Sequence, residues 1–157
     1  YDFPEGTMAI GRLDEKSEGL LLLTTDGNVS EAVRSKKVEK EYYAQVDGLI
    51  SEEAIASMTQ GVEIGIFDVK YITLPCKAFR LEKTPDFPLR SKKIRDDRHG
   101  PTSWVSVTLT EGKFRQVRKM CAAVGYPVLR LIRVRVGKIH LGDLKSGEVL
   151  KLEQLNY

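Results

Sequence analysis

The sequence predicts an α+β protein: a mixed, mainly antiparallel β-sheet with flanking helices. Two observations predict this class. Strand-like stretches outnumber helical ones, and neighbouring strands are joined by short turns. The chain has 157 residues, the size of one ordinary domain or of two small lobes sharing a core. Its residues are 41% hydrophobic and 30% charged, enough for a core inside a solvated surface, and no repeat or low-complexity segment interrupts it.

Each element has its own warrant. Met8-Ala9-Ile10 and residues 20–24 are apolar and read as short strands on either side of an irregular segment, residues 11–19. Asp26-Gly27 signals a turn, after which Asn28 can cap a short helix reaching about Ser35. Residues 41–46, rich in Tyr and Val, form a strand. Ser51 caps a helix with Glu52 and Glu53 in its first turn, and Gly61 closes it. Strand-like stretches follow at 62–67 and 69–80. Residues 83–101 combine Pro85, Pro88 and Pro101 with many charges and form an exposed loop. Trp-Val-Ser-Val-Thr-Leu-Thr at 104–110 alternates as a strand does. A helix spans 114–124 and stops at Gly125, and strands at 128–136, 139–141 and 149–152 complete a sheet-rich end.

Charge is segregated along the chain. The formal net charge is only +3, but residues 1–68 carry 14 acidic and 6 basic side chains, whereas residues 69–157 carry 8 and 19. Between residues 112 and 142 there are eight Lys/Arg and no acid; residues 90–98 add Arg90, Lys92, Lys93, Arg95 and Arg98 against Asp96 and Asp97. Clustered cations suit a polyanion, because they release counterions from phosphates; a solvated basic face is the plainer alternative.

Absent motifs narrow the chemistry. No apolar run approaches the roughly 20 residues of a membrane helix, no signal peptide opens the chain, and two cysteines, Cys76 and Cys121, suggest neither a disulfide framework nor a metal knuckle. A soluble, cytoplasmic protein is expected. With His99 and His140 the only histidines, a His triad or zinc site has little to build on. Neither phosphate-binding glycine motif occurs, so no nucleotide cofactor is expected. If the protein is an enzyme, its working group is a carboxylate, tyrosine, lysine or arginine.

Residue by residue, alternatives remain open. In the helix at 114–124, Val117, Met120, Cys121 and Val124 fall on one face, so Arg115 and Lys119 lie opposite it, towards solvent or phosphate. Arg118 sits at the stripe's edge, either snorkelling or half buried and in need of an anion. Asp14, in Gly11-Arg12-Leu13-Asp14, reads alone as a turn or capping residue; as a catalyst it would be pinned by the flanking strands and kept charged by an arginine. Tyr42 either packs or, facing a cleft, stacks on a base.

Together these stretches resemble a known family. Gly11-Arg12-Leu13-Asp14, continued by Ser17-Glu18-Gly19-Leu20-Leu21-Leu22-Leu23-Thr24-Thr25-Asp26-Gly27, is similar to the signature of the RsuA-type pseudouridine synthases. Lys40-Glu41-Tyr42 resembles that family's K-x-Y, and Glu111-Gly112-Lys113-Phe114-Arg115-Gln116-Val117-Arg118-Lys119-Met120 its E-G-x-x-R-Q-V-R-[RK]-M segment. Pro101-Thr102-Ser103-Trp104 and Pro127-Val128-Leu129-Arg130-Leu131-Ile132-Arg133 resemble the RluE-like branch, which modifies large-subunit ribosomal RNA.

The resemblance implies an isomerase that converts a uridine of 23S ribosomal RNA to pseudouridine. It makes Asp14 the nucleophile, Arg118 its paired arginine, Tyr42 the ring that stacks on the target base and Leu131 the aliphatic wall of the base pocket. Arg12 accompanies Asp14 in the signature, and Lys40 is a structural or RNA-contacting lysine. Arg115, Lys119, Arg133, Arg135 and the loop at 92–98 are the candidates for phosphate contacts. Asp14 could attack the anomeric carbon, initiate glycal formation or add to uracil C6. Neither metal nor cofactor is implied, and family members act as monomers. A non-catalytic RNA-binding or ribosome-assembly module of the same fold is the alternative. The family's catalytic domain usually begins with a strand carrying K-P-x-G, which is missing here, and only ten residues precede Gly11, too few for an S4-type domain. Residues 1–157 are therefore expected to form the catalytic domain without its first strand.

Overall fold

A computed structural model describes residues 1–35, 37–90 and 100–157. The chain is α+β. Its main sheet runs β10-β9-β4-β8-β7, from Ile139–His140, Val128–Val136, Lys40–Asp47, Thr102–Leu109 and Lys77–Arg80. Every neighbour on that path is antiparallel; β2 (Glu18–Gly19) joins β9 in parallel, and this makes the sheet mixed. Two small antiparallel pairs flank it: β1 (Met8–Ala9) with β3 (Leu23–Thr24), and β5 (Glu63–Ile66) with β6 (Val69–Ile72). The helices are α1 (Gly27–Arg34), α2 (Glu52–Gln60) and α3 (Gln116–Ala123).

The period-2 pattern of the long strands decides which face is covered. Ala44 and Val46 of β4, Val105 and Val107 of β8 and Leu131 of β9 join Ile55 and Met58 of α2 and Val117, Met120 and Cys121 of α3 in one buried cluster. Ile10, Leu20, Leu22, Val33, Val38 and Val136 form a second cluster beneath α1. The tetraleucine run thus alternates, Leu20 and Leu22 inward and Leu21 exposed.

Local expectations are corrected at four places. Asp26, not Asn28, caps α1: its Oδ1 accepts the Asn28 backbone N–H at 2.8 Å. The stretch at 69–80 is two strands, because Pro75 lacks an N–H for the ladder. The helix expected at 114–124 begins at Gln116, since Arg115 is left-handed (φ 53°). Residues 149–152 are irregular, with Val149, Leu150 and Leu152 exposed; no described strand edge receives them. Residues 83–90 are irregular and mostly exposed, as a loop should be, whereas the basic stretch at 92–98 lies outside the described residues.

Candidate active site

A cavity of about 380 Å³ opens where the segment after β1, the cavity-side face of β4 and β9, and the loop before α3 meet. That volume lies in the range of small-ligand sites, about 300–1,000 Å³. Among the residues lining it are Asp14, Arg12, Lys40, Tyr42, Leu131, Arg115 and Arg133. These arrive from four separate parts of the chain. Arg118 and Lys119 stand just outside.

Strand register explains the convergence. Tyr42 lies opposite Arg133, and Ala44 opposite Leu131, so Tyr42, Leu131 and Arg133 share one sheet face. A register shift between Glu41 and Tyr42 leaves Val134 unpaired and returns Arg135, opposite Glu41, to the other face. There Arg135 Nε donates to Glu41 at 3.1 Å and its Nη1 to the Gly137 carbonyl at 2.7 Å. Arg133 is 7% exposed, and its Nε donates to the Leu20 carbonyl at 2.8 Å. The structure therefore places neither arginine on the open outer surface: Arg133 faces the cavity and Arg135 is tied within the sheet.

The Asp14 segment is strapped down by arginines. Ser17 N–H donates to the Asp14 carbonyl at 2.8 Å, making a tight turn. Arg118 Nη2 donates to the Lys16 carbonyl at 3.0 Å and to Ser17 Oγ at 3.2 Å; Arg90 reaches the same carbonyl at 2.8 Å. Arg130 grips Glu18 with two bonds of 2.9 Å. This fork-to-carboxylate geometry orients as well as attracts. The expected Asp14–Arg118 pair is an electrostatic neighbourhood, not a contact ion pair. Among the described residues the Asp14 carboxylate has no hydrogen-bond or ion-pair partner, and Arg118 Nε is buried without one. Burial, followed by the charge of Arg115, lowers the Arg118 pKa from the ordinary arginine value, and Asp14 opposes that shift.

Other groups sort by environment. Burial and then the nearby Arg133 charge lower the Lys40 pKa. Burial pushes the Cys76 thiol up to about 11 and Cys121 up to about 12, which disfavours either as a nucleophile. Among the described residues no cluster of three His/Cys/Asp/Glu could hold a metal ion, and no helix is long and apolar enough to cross a membrane.

Two features escaped the sequence reading. Glu111, 3% exposed, accepts from the Tyr71 hydroxyl, from Leu74 N–H at 2.7 Å and from the Gln116 side-chain amide at 2.8 Å. Gln116 in turn accepts Lys113 N–H at 3.1 Å, which fixes the loop that carries Arg115 to the cavity. The hydrogen bond to Glu111 also raises the Tyr71 pKa. The second feature is the Glu18–Arg130 clamp. Its only sequence signal was membership of two separate motifs, and nothing in their spacing joined them.

The chain belongs to the RNA pseudouridylate synthase family, whose model matches residues 2–123. It is 39% identical over 142 residues to ribosomal large subunit pseudouridine synthase E of Vibrio parahaemolyticus, covering 89% of this chain and 58% of that protein. It is 37% identical over 150 residues to the protein of the same description from Xanthomonas campestris, covering 94% of this chain and 78% of that one. A crystal structure of a pseudouridylate synthase matches with a TM-score of 0.67 at 31% identity, over 90% of this chain and 54% of the other. The chain thus spans little more than half the length of the Vibrio relative.

Proposed function

We propose that the protein isomerises a specific uridine of large-subunit ribosomal RNA to pseudouridine, with Asp14 as the nucleophile and residues 1–157 as the catalytic domain. It acts as a cytoplasmic monomer, without a membrane, metal or nucleotide cofactor. One observation carries this proposal: a carboxylate with no partner among the described residues opens into a cavity shared with Tyr42 and Leu131. An unpaired carboxylate on a strapped-down turn is free to bond to an incoming nucleoside, and covalent catalysis divides one hard exchange into easier steps.

The reaction breaks the bond from ribose C1′ to uracil N1 and forms one from C1′ to C5; C5 loses its hydrogen and N1 gains one. Asp14 bonds to the nucleoside. Tyr42 and Leu131 hold the freed base as it turns, and Arg118 holds the Asp14 turn through Lys16 and Ser17. The target uridine must leave its stack, at a cost of a few kcal/mol. Arg12, Lys40, Arg115, Lys119 and the cavity-facing Arg133 offset that cost by attracting the RNA backbone.

Tritium release from 23S ribosomal RNA labelled at uridine C5 tests this directly. Asp14→Ala and Asp14→Asn are expected to bind RNA within a few-fold of wild type but to lose detectable turnover. Release at the wild-type rate from Asp14→Ala would falsify the proposed nucleophile. Salt-sensitive RNA binding by the wild type without any release would favour a non-catalytic RNA-binding module.

A further inference from the structure

An aromatic pair stands at the mouth of the cavity, outside the roles assigned so far. Phe67 tips the β5–β6 hairpin and is 77% exposed. It stacks on Phe114, with ring centres 5.4 Å apart and planes inclined by 21°. Phe114 itself lines the cavity. The Arg12 guanidinium lies 5.7 Å and the Lys119 ammonium 5.0 Å from the centre of the Phe114 ring.

Neither burial nor turn chemistry accounts for a phenylalanine here. The two loop residues, Phe67 and Asp68, have φ of 46° and 66°, a turn for which Asn-Gly is the natural choice. A side chain in the left-handed region is strained. Phe114 covers one face of the Phe67 ring and solvent meets the other. An open aromatic face backed by a second ring and flanked by cations matches the chemistry of single-stranded nucleic acid: the base stacks and the cations meet its phosphates.

We propose that Phe67 and Phe114 form a stacking platform for an unpaired RNA base next to the nucleotide that enters the cavity, with Arg12 and Lys119 engaging the adjoining phosphates. The platform rests on the cavity being a uridine site, but its test reads binding, not turnover. The probe is a short, uridine-rich single-stranded RNA carrying one 2-aminopurine, whose fluorescence is quenched by stacking. The wild type is expected to bind and quench it. Phe67→Ala should weaken binding roughly 5- to 150-fold, the equivalent of about 1–3 kcal/mol for one lost stack. Phe67→Trp should retain affinity and quenching, whereas Phe67→Leu, which keeps apolar bulk against Phe114 but has no π face, should lose both.

Thermal midpoints of all three variants separate a platform from a latch that merely holds the hairpin. The platform is overturned if the wild type fails to quench the probe, or if Phe67→Leu binds as wild type does. It is equally overturned if Phe67→Ala lowers the midpoint without changing affinity. Quenching by a wild type that releases no tritium from C5 would leave the platform standing and remove the isomerase.

Discussion

Gly19 pairs with Arg133 in the parallel β2–β9 ladder, and its φ of 108° lies where side chains are strained. A β-carbon there would overlap the Arg133 backbone carbonyl and come within 2.7 Å of its nitrogen. Backbone offers no rotamer by which to yield, so β2 must separate from β9. Leu20 N–H, which donates to the Arg133 carbonyl at 2.9 Å, would go with it. Gly19→Ala is therefore expected to destabilise the protein by about 2–4 kcal/mol, combining left-handed strain with overpacking. Because the same segment holds the Asp14 turn, turnover should fall further than the unfolded fraction explains. Urea denaturation and tritium release measured on the same sample check both; an unshifted midpoint would show that the segment can move aside freely.

Among the elements, the loop before α3 depends on one buried carboxylate. Glu111→Ala would leave Leu74 N–H and the Gln116 amide without their acceptor, and would free Tyr71 from the loop. A loss of about 2–4 kcal/mol is expected, with Glu111→Gln milder because it keeps an acceptor oxygen; equal losses would mean that negative charge, not acceptance, is what matters. How far such elements could be read from sequence depends on how local their causes are. The alternation of β8 and the apolar stripe of α3 are local, and both stand within a residue or two of their expected bounds. Tyr42 and Leu131 could be placed beside Asp14 only through the family resemblance, because nothing in either strand names its partner. The bulge opposite Glu41–Tyr42 has no local signature either, yet it sends Arg133 and Arg135 to opposite faces although their spacing puts them on one. Left-handed Arg115 was equally hidden, because nothing in its residue type marks a positive φ.

At the scale of the whole molecule, the basic excess of residues 69–157 overstates the charge available to RNA. Arg130 is committed to Glu18, and Arg135 to Glu39 and Glu41. The cations that remain near the cavity mouth, Arg115 and Lys119 among them, therefore carry a larger share of phosphate attraction than the sequence count suggests. Each phosphate contact contributes about 0.7–0.9 to the slope of log affinity against log salt. Removing both side chains in Arg115→Ala/Lys119→Ala should weaken binding to 23S ribosomal RNA at low salt and reduce that slope by about 1.4–1.8. Arg135→Gln provides the contrast: it breaks ties within the sheet, so it should lower the thermal midpoint while leaving the slope near the wild-type value. Binding isotherms over a series of potassium chloride concentrations read both outcomes. An unchanged slope in the double variant would show that the RNA backbone does not run past this mouth. A slope that fell equally in Arg135→Gln would show that the long-range field of the whole basic half, not contact at the cavity, draws the RNA in.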